Sequence, residues 1–250
     1  MLCLVGIGLT PKHLTLEAID TLKECKRVYI ESYTSSYAEG TISELELRLN
    51  KKISALKRKE VEEGIRELLI EAKKENIALV VFGNPLTATT HVQIILDAKK
   101  AGVKTKVVAG ISVTNYLAKT GLDEYRFGRT CTVVAPKENF SPESFYGVIE
   151  KNLNAGLHTL CLLEITEEGK LMSIREAIEV LEGIQKKKKN KAIDRALLVA
   201  LSAAGSSKEE IVAGKAEKLK KHKFNGMPQS LIVCGKLNEK EREAIGELNE

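Results

Sequence analysis

Four short stretches carry the residue types that contact small ligands, and each sits where an apolar run stops. They are Gly6-Ile7-Gly8-Leu9-Thr10-Pro11, the segment from Gly83-Asn84-Pro85 through Thr87, Thr89, Thr90 and His91, the segment Ala109-Gly110-Ile111-Ser112-Val113, and Ser202-Ala203-Ala204-Gly205-Ser206. Gln229, just after Met227-Pro228, opens a further apolar run. Glycine at such a place admits close approach of a ligand to the backbone or simply makes a tight turn. The first stretch fails as a dinucleotide fingerprint, because the third glycine of GxGxxG falls on Pro11. Pro11 also delays any helix whose N-terminus would receive a phosphate. Glu31 ends the next apolar run, where Rossmann-type proteins hold a ribose hydroxyl. Any one of Thr87, Thr89 and Thr90 is accounted for as a helix cap, and His91 in a first helical turn as a structural histidine. Three hydroxyl residues within 87–90 exceed what a cap requires. There is no GxxxxGK[ST], catalytic triad or paired-carboxylate site, and no residue is marked as a required general base. The four histidines (13, 91, 158, 222) and five cysteines (3, 25, 131, 161, 234) show no metal-ligand spacing. Backbone, hydroxyls and small side chains suit the binding of a preactivated cofactor. Methyl transfer from S-adenosylmethionine is such a chemistry, since the enzyme mainly has to align the nucleophile.

The elements that must position these stretches are legible as periodicity. Apolar runs at 2–7, 27–31, 52–56, 77–82 and 103–108 alternate with helical patterns near 15–25, 41–49, 59–75 and 89–101. That alternation predicts a mostly parallel sheet covered on both faces, with a helix near 112–120 closing the half. Further runs at 130–135, 158–164, 196–202 and 229–234, with helical patterns near 142–155 and 173–185, predict a looser mixed sheet. Periodicity breaks at 120–129, so the expected domains are 1–120 and 121–250. A length of 250 residues with 43% apolar content is ample for two cores. No window reaches the ~18 uncharged apolar residues of a membrane helix. The first thirteen residues read as structure rather than a signal peptide. The cysteines in apolar runs read as buried, reduced thiols of a cytoplasmic protein. The net charge of +5 owes much to lysines at 186–191 and 215–223, which read as a solvated face and as an exposed loop after a helix. With only 4% aromatic residues, a stacking platform for nucleic acid has little support, and no nucleic-acid or membrane partner is expected.

Longer motifs add a resemblance. "LVGIGL" at the N-terminus, "VYIESYTSSYAEGT" at 28–41, "GNPLTATTH" at 83–91, "GISVTNYLAKTGLDEYRFG" at 110–128, "FSPESFYGVIEKNLNAGLHTLCLLEI" at 140–165 and "LIVCGKL" at 231–237 together resemble the diphthine synthase family. That family lies within the tetrapyrrole-methylase-like class of S-adenosylmethionine-dependent methyltransferases. The resemblance implies a two-domain α/β fold with a mostly parallel N-terminal sheet, a mixed C-terminal sheet and a cofactor cleft between the domains, usually as a homodimer. It implies trimethylation of the amino group of a 3-amino-3-carboxypropyl-modified histidine in translation elongation factor 2, in diphthamide biosynthesis. Matched motif by motif, it implies cofactor contacts at Leu9, Asn84, Thr87, Ser112, Val113, Leu163, Ala204 and Gln229. This chain departs from the family pattern at Asn84, usually Asp, at Gln229, often His, and in "SAAGS", which lacks an arginine. A tetrapyrrole (precorrin-type) methyltransferase shares fold and cofactor and stands as the alternative. A nicotinamide-dependent Rossmann oxidoreductase and an RNA-binding role of the lysine-rich segments stand behind it.

Overall fold

The first strand, β1 (Leu2–Gly6), is buried along its whole length, as a strand covered on both faces must be. Its alternate residues divide between two cores. Cys3 and Val5 join one cluster, and Leu2 and Leu4 join the other. Around it the chain builds α1 (Leu16–Glu24), β2 (Arg27–Glu31), α2 (Ile42–Leu49), β3 (Ile53–Leu56), α3 (Arg58–Glu62), α4 (Ile65–Lys74), β4 (Ile77–Val81), α5 (Val92–Lys100) and β5 (Thr105–Val108). The strands pair all in parallel in the order β3-β2-β4-β1-β5. Ala18, Leu22, Leu45 and Leu49 of α1 and α2 fill one face, and Leu68, Leu69, Ala72, Ile94 and Ala98 of α4 and α5 fill the other. The structure is a computed structural model that describes residues 1–248 except 32, 34, 63, 139 and 167. Ser32 and Thr34 of the 28–41 motif therefore lie outside the described residues.

The chain divides into two compact units, Met1–Thr114 and Asn115–Glu250. The second unit contains β6 (Cys131–Val133), α6 (Ser144–Asn154), β7 (Thr159–Leu163), α7 (Ile174–Lys187), α8 (Ala192–Arg195), β8 (Leu198–Ser202), β9 (Glu210–Gly214), α9 (Ala216–Lys221), β10 (Gln229–Val233) and α10 (Glu239–Glu247). Its sheet has the order β6-β7-β10-β8-β9. β6 and β7 run in parallel, and the other pairs are antiparallel, so the sheet is mixed as expected. One large cluster joins Val133, Cys161, Leu198 and Leu231 of the strands to Ile149 of α6 and to Ile178 and Leu181 of α7.

Several expected elements differ in detail. The helical pattern at 59–75 is two helices, with Gly64 as the N-cap residue of the second. The segment expected as a helix near 112–120 is a 3-10 helix over Val113–Thr120. α5 starts at Val92 rather than near residue 89, and no side chain caps it. Helix α7 ends at Lys187, and Lys189 turns with a positive φ of 52°, so the lysine run does close a helix. Among the described residues, α8, β9, α9 and α10 were not expected, nor were the short 3-10 helices Pro11–His13 and Glu124–Arg126.

Candidate functional site

In the first unit the carboxyl ends of β1, β4 and β5 converge through glycines. A Cβ on Gly6 would lie 2.6 Å from both Gly110 N and Gly83 O, and one on Gly110 would lie 2.2 Å from Gly83 O. Both distances are too short for any other residue without backbone movement. The glycines at 6 and 110 thus let three backbones approach one another. Gly8 and Gly83 pair by backbone hydrogen bonds, Gly83 N to Gly8 O at 2.9 Å and Gly8 N to Gly83 O at 3.3 Å. Both hold a positive φ, 74° and 71°, which favours glycine.

That pairing gathers the expected contacts of this unit. Leu9 follows Gly8, Asn84 follows Gly83, and the Cβ position of Gly83 lies 3.5 Å from that of Ser112. Leu9 is buried, and its backbone is already used: its N–H reaches His13 Nδ1 at 3.3 Å and its carbonyl accepts from Ala38 N at 2.8 Å. Asn84 is half-buried. Its Oδ1 accepts from Leu86 N at 3.0 Å, and its carbonyl accepts from Thr87 N at 3.2 Å. This is a side-chain turn that Asp makes equally well. Ser112 is buried, with Oγ 2.6 Å from Thr114 Oγ1, and Val113 is half-buried beside it.

The surplus hydroxyls have a different use from capping. Thr89 Oγ1 donates to Pro85 O at 2.6 Å, and His91 Nδ1 lies 3.0 Å from the same carbonyl. His91 is 3% exposed, so it braces the turn from inside, as a structural histidine does. Thr10 belongs to the first glycine-containing stretch but was not among the expected contacts. It is 1% exposed, and its Oγ1 has no hydrogen-bond partner. A buried unpaired hydroxyl costs roughly 1–3 kcal/mol, and it sits one residue from Leu9. No signal in the sequence distinguishes it from the other threonines. Glu31, which the sequence offered for a ribose, is fully buried at the end of β2.

In the second unit the remaining expected contacts lie at one end of the mixed sheet. Leu163 ends β7, Gln229 starts the antiparallel β10, and Ala204 follows β8, whose Ser202 is the register partner of Gln229. Gln229 is buried, and its amide spans two elements. Oε1 accepts from Ile174 N at 2.8 Å, and Nε2 donates to Gly226 O at 2.8 Å. It therefore joins the start of β10 to the first turn of α7, keeping one lone pair and one N–H for a ligand. Just beyond Leu163, a cavity of about 410 Å³ is lined by Val134, Pro142, Glu164, Met172, Glu176 and Ile184 among others. Glu176, which forms the capping box of α7 with Ser173, is part of its wall. Lys170, then the backbone N–H and hydroxyl of Ser173, hold the Glu176 carboxyl down to about 2.

The motif at 121–128 proves to be a structural joint. Gly121 packs on Ala244 of α10, Asp123 N donates to Glu241 Oε1 at 3.0 Å, and Gly128 packs on Asn152. His158, fully buried, accepts from Gly235 N at Nδ1 (3.0 Å) and so carries its proton on Nε2, 2.9 Å from Glu241 Oε1. In the basic segment at 215–223, Lys220 pairs with Glu182 at 2.7 Å and Lys221 with Glu217 at 2.8 Å, and His222 Nε2 lies 2.9 Å from Glu210.

Residues 1–220 match the family described as Tetrapyrrole (Corrin/Porphyrin) Methylases, and the chain belongs to that family. It is 38% identical over 248 residues to the diphthine synthase of Methanococcus vannielii, spanning 98% of this chain and 97% of the relative. It is 37% identical over 250 residues to that of Methanocaldococcus jannaschii, again spanning 98% and 97%. A crystal structure of diphthine synthase matches with a TM-score of 0.90 at 31% identity, over 99% of this chain and 95% of that one. Within the family, its place is with the diphthine synthases.

Proposed function

We propose that this chain is an S-adenosylmethionine-dependent methyltransferase of diphthamide biosynthesis. It acts on the amino group of the 3-amino-3-carboxypropyl-modified histidine of elongation factor 2 and carries the amine to the trimethylated state. The observation that carries this reading is similarity to diphthine synthases across 98% of the chain. A cytoplasmic location, a homodimer, and domains divided at 120/121 belong to the same proposal. Among the described residues, no helix is long and apolar enough to cross a membrane.

The residues present suit the cofactor. Thr10 offers a buried hydroxyl that lacks a partner, and the strand-end turns built on Gly8 and Gly83 lie where α/β sheets take ligands. In the first unit the proposed contacts are Leu9, Asn84, Thr87, Ser112 and Val113; in the second they are Leu163, Ala204 and Gln229. Bound S-adenosylmethionine supplies a methyl group on a sulfonium, whose departure needs no acid. The chain's own task is then to fix the ligand and exclude water. A desolvated setting favours the neutral, attacking form of an amine, because burial disfavours its charged form.

The test is incubation with methyl-labelled S-adenosylmethionine and elongation factor 2 bearing the precursor histidine, with a diphthine synthase relative in parallel. Label on the factor supports the reading. Label from the relative alone refutes it. The family description favours a second reading, a tetrapyrrole methylase; transfer to a precorrin with none to the factor would select it.

A further inference from the structure

Cys131 and Cys161 are direct register partners on the neighbouring parallel strands β6 and β7. Partners in register point to the same face, and their sulfurs lie 3.8 Å apart, close enough to share one S–H hydrogen bond. The two thiols differ in access. Cys161 is fully buried in the core, whereas Cys131 is half-buried and lines a cavity of about 520 Å³ together with Arg129, Phe145 and Lys151. β6 is an edge strand of three residues, so it has room to adjust toward β7. The other close pair, Cys3 and Cys25, which share a hydrogen bond, lies wholly within the first unit's core, and Cys234 is buried as well.

We propose that Cys131 and Cys161 form a reactive dithiol site, with Cys131 the thiol oxidised first by hydroperoxides and Cys161 the resolving thiol that closes a disulfide across β6 and β7. The hydrogen bond to Cys161 lowers the Cys131 thiol below its ordinary range; burial opposes this, and the Arg129 charge assists it. The same hydrogen bond and burial keep Cys161 protonated. In the first step the Cys131 thiolate attacks one oxygen of hydrogen peroxide. The O–O bond breaks, hydroxide leaves and takes up a proton as water, and Cys131 becomes a sulfenic acid. In the second step the Cys161 sulfur attacks the Cys131 sulfur. The S–O bond breaks, and the departing hydroxide takes the Cys161 proton as a second water. Two thiols are oxidised and one peroxide is reduced. Bridgeable cysteines need Cα atoms within about 7 Å, a spacing that adjacent strands provide.

The reduced full chain is treated with hydrogen peroxide under native conditions, alkylated, and digested with trypsin without reductant. Cleavage at Lys137 and Lys151 separates the two cysteines. The expected result is one disulfide-linked peptide pair joining Cys131 to Cys161, a chain lighter by two hydrogen atoms, and Cys3, Cys25 and Cys234 alkylated only after unfolding. Cys161→Ser leaves a sulfenic acid on Cys131 that dimedone traps, and Cys131→Ser abolishes the linked pair. Both thiols remaining alkylatable under conditions that oxidise dithiothreitol would overturn the proposal. So would Cys131 sulfinic acid beside an intact Cys161 in the wild type. If Cys161→Ser fails to fold, titration of the wild type with phenylarsine oxide decides. One equivalent that protects both thiols supports the pair, and no protection refutes it.

Discussion

Thr10 and Asn84 bear the account at the scale of single residues. Thr10 hides a hydroxyl with no partner, which protein stability alone gives no reason to keep. Thr10→Val removes it with little change in volume. Removing a buried unsatisfied group stabilises by about 1 kcal/mol, while losing one ligand hydrogen bond weakens binding roughly fivefold. Urea unfolding and calorimetry with S-adenosylhomocysteine should therefore move in opposite directions; a variant that binds unchanged would remove Thr10 from the site. Asn84 keeps the turn of its family through Oδ1 and Leu86 N but carries no charge. Asn84→Asp should tighten S-adenosylmethionine several-fold, about 1 kcal/mol for a half-exposed charge, and leave the neutral S-adenosylhomocysteine nearly unchanged. Equal shifts for both ligands would show that charge is not what this position contributes. The departure at Asn84 could be read in the sequence by resemblance, whereas the isolation of Thr10 could not, because a hydrogen-bond partner is a property of the folded neighbourhood.

Two joints matter at the scale of elements. At the start of α7, Ser173, Glu176 and Gln229 satisfy the first turn and connect it to β10. The Glu176 carboxyl sits at about 2, below its ordinary 4.5. A depressed carboxylate adds stability that is present in full above about 4.5 and is lost as pH falls toward about 2. Glu176→Gln should thus cost stability at neutral pH and match the wild type near the acid end of that window, as thermal melts across it would show. A constant difference would place the effect elsewhere. The second joint ties β7 to α10 through His158 and Glu241. Burial pushes the Glu241 carboxyl up, but Asn238 N–H, His158 and Asp123 N–H outweigh it and hold it low. His158→Ala leaves Gly235 N–H without its partner and Glu241 Oε1 with Asp123 N–H alone, with a loss of about 3 kcal/mol in urea unfolding. A loss well under half of that would mean water replaces the ring.

At the scale of the whole molecule, the sheets were largely legible and their additions were not. The five runs of the first half announce a parallel sheet because its strands are buried on both faces. α10 left no periodic signal, since of its residues only Glu241 and Ile245 are buried; its readable mark was the capping pair Asn238 and Glu241. β9 is half-buried along most of its length, so its pattern has little contrast. The stretches proposed for the site could be read as strand ends, whereas the packing of their glycines could not. Gly6 and Gly110 serve the meeting of three backbones, a long-range contact that no local spacing encodes. The central claim concerns what this fold does to its substrate. The measurement that tests it most directly is the mass of the histidine-bearing peptide of elongation factor 2 after incubation with the chain and unlabelled S-adenosylmethionine. The account predicts a gain of three methyl groups, all on the amine of the 3-amino-3-carboxypropyl group; a peptide of unchanged mass, with a relative methylating it in parallel, would contradict it.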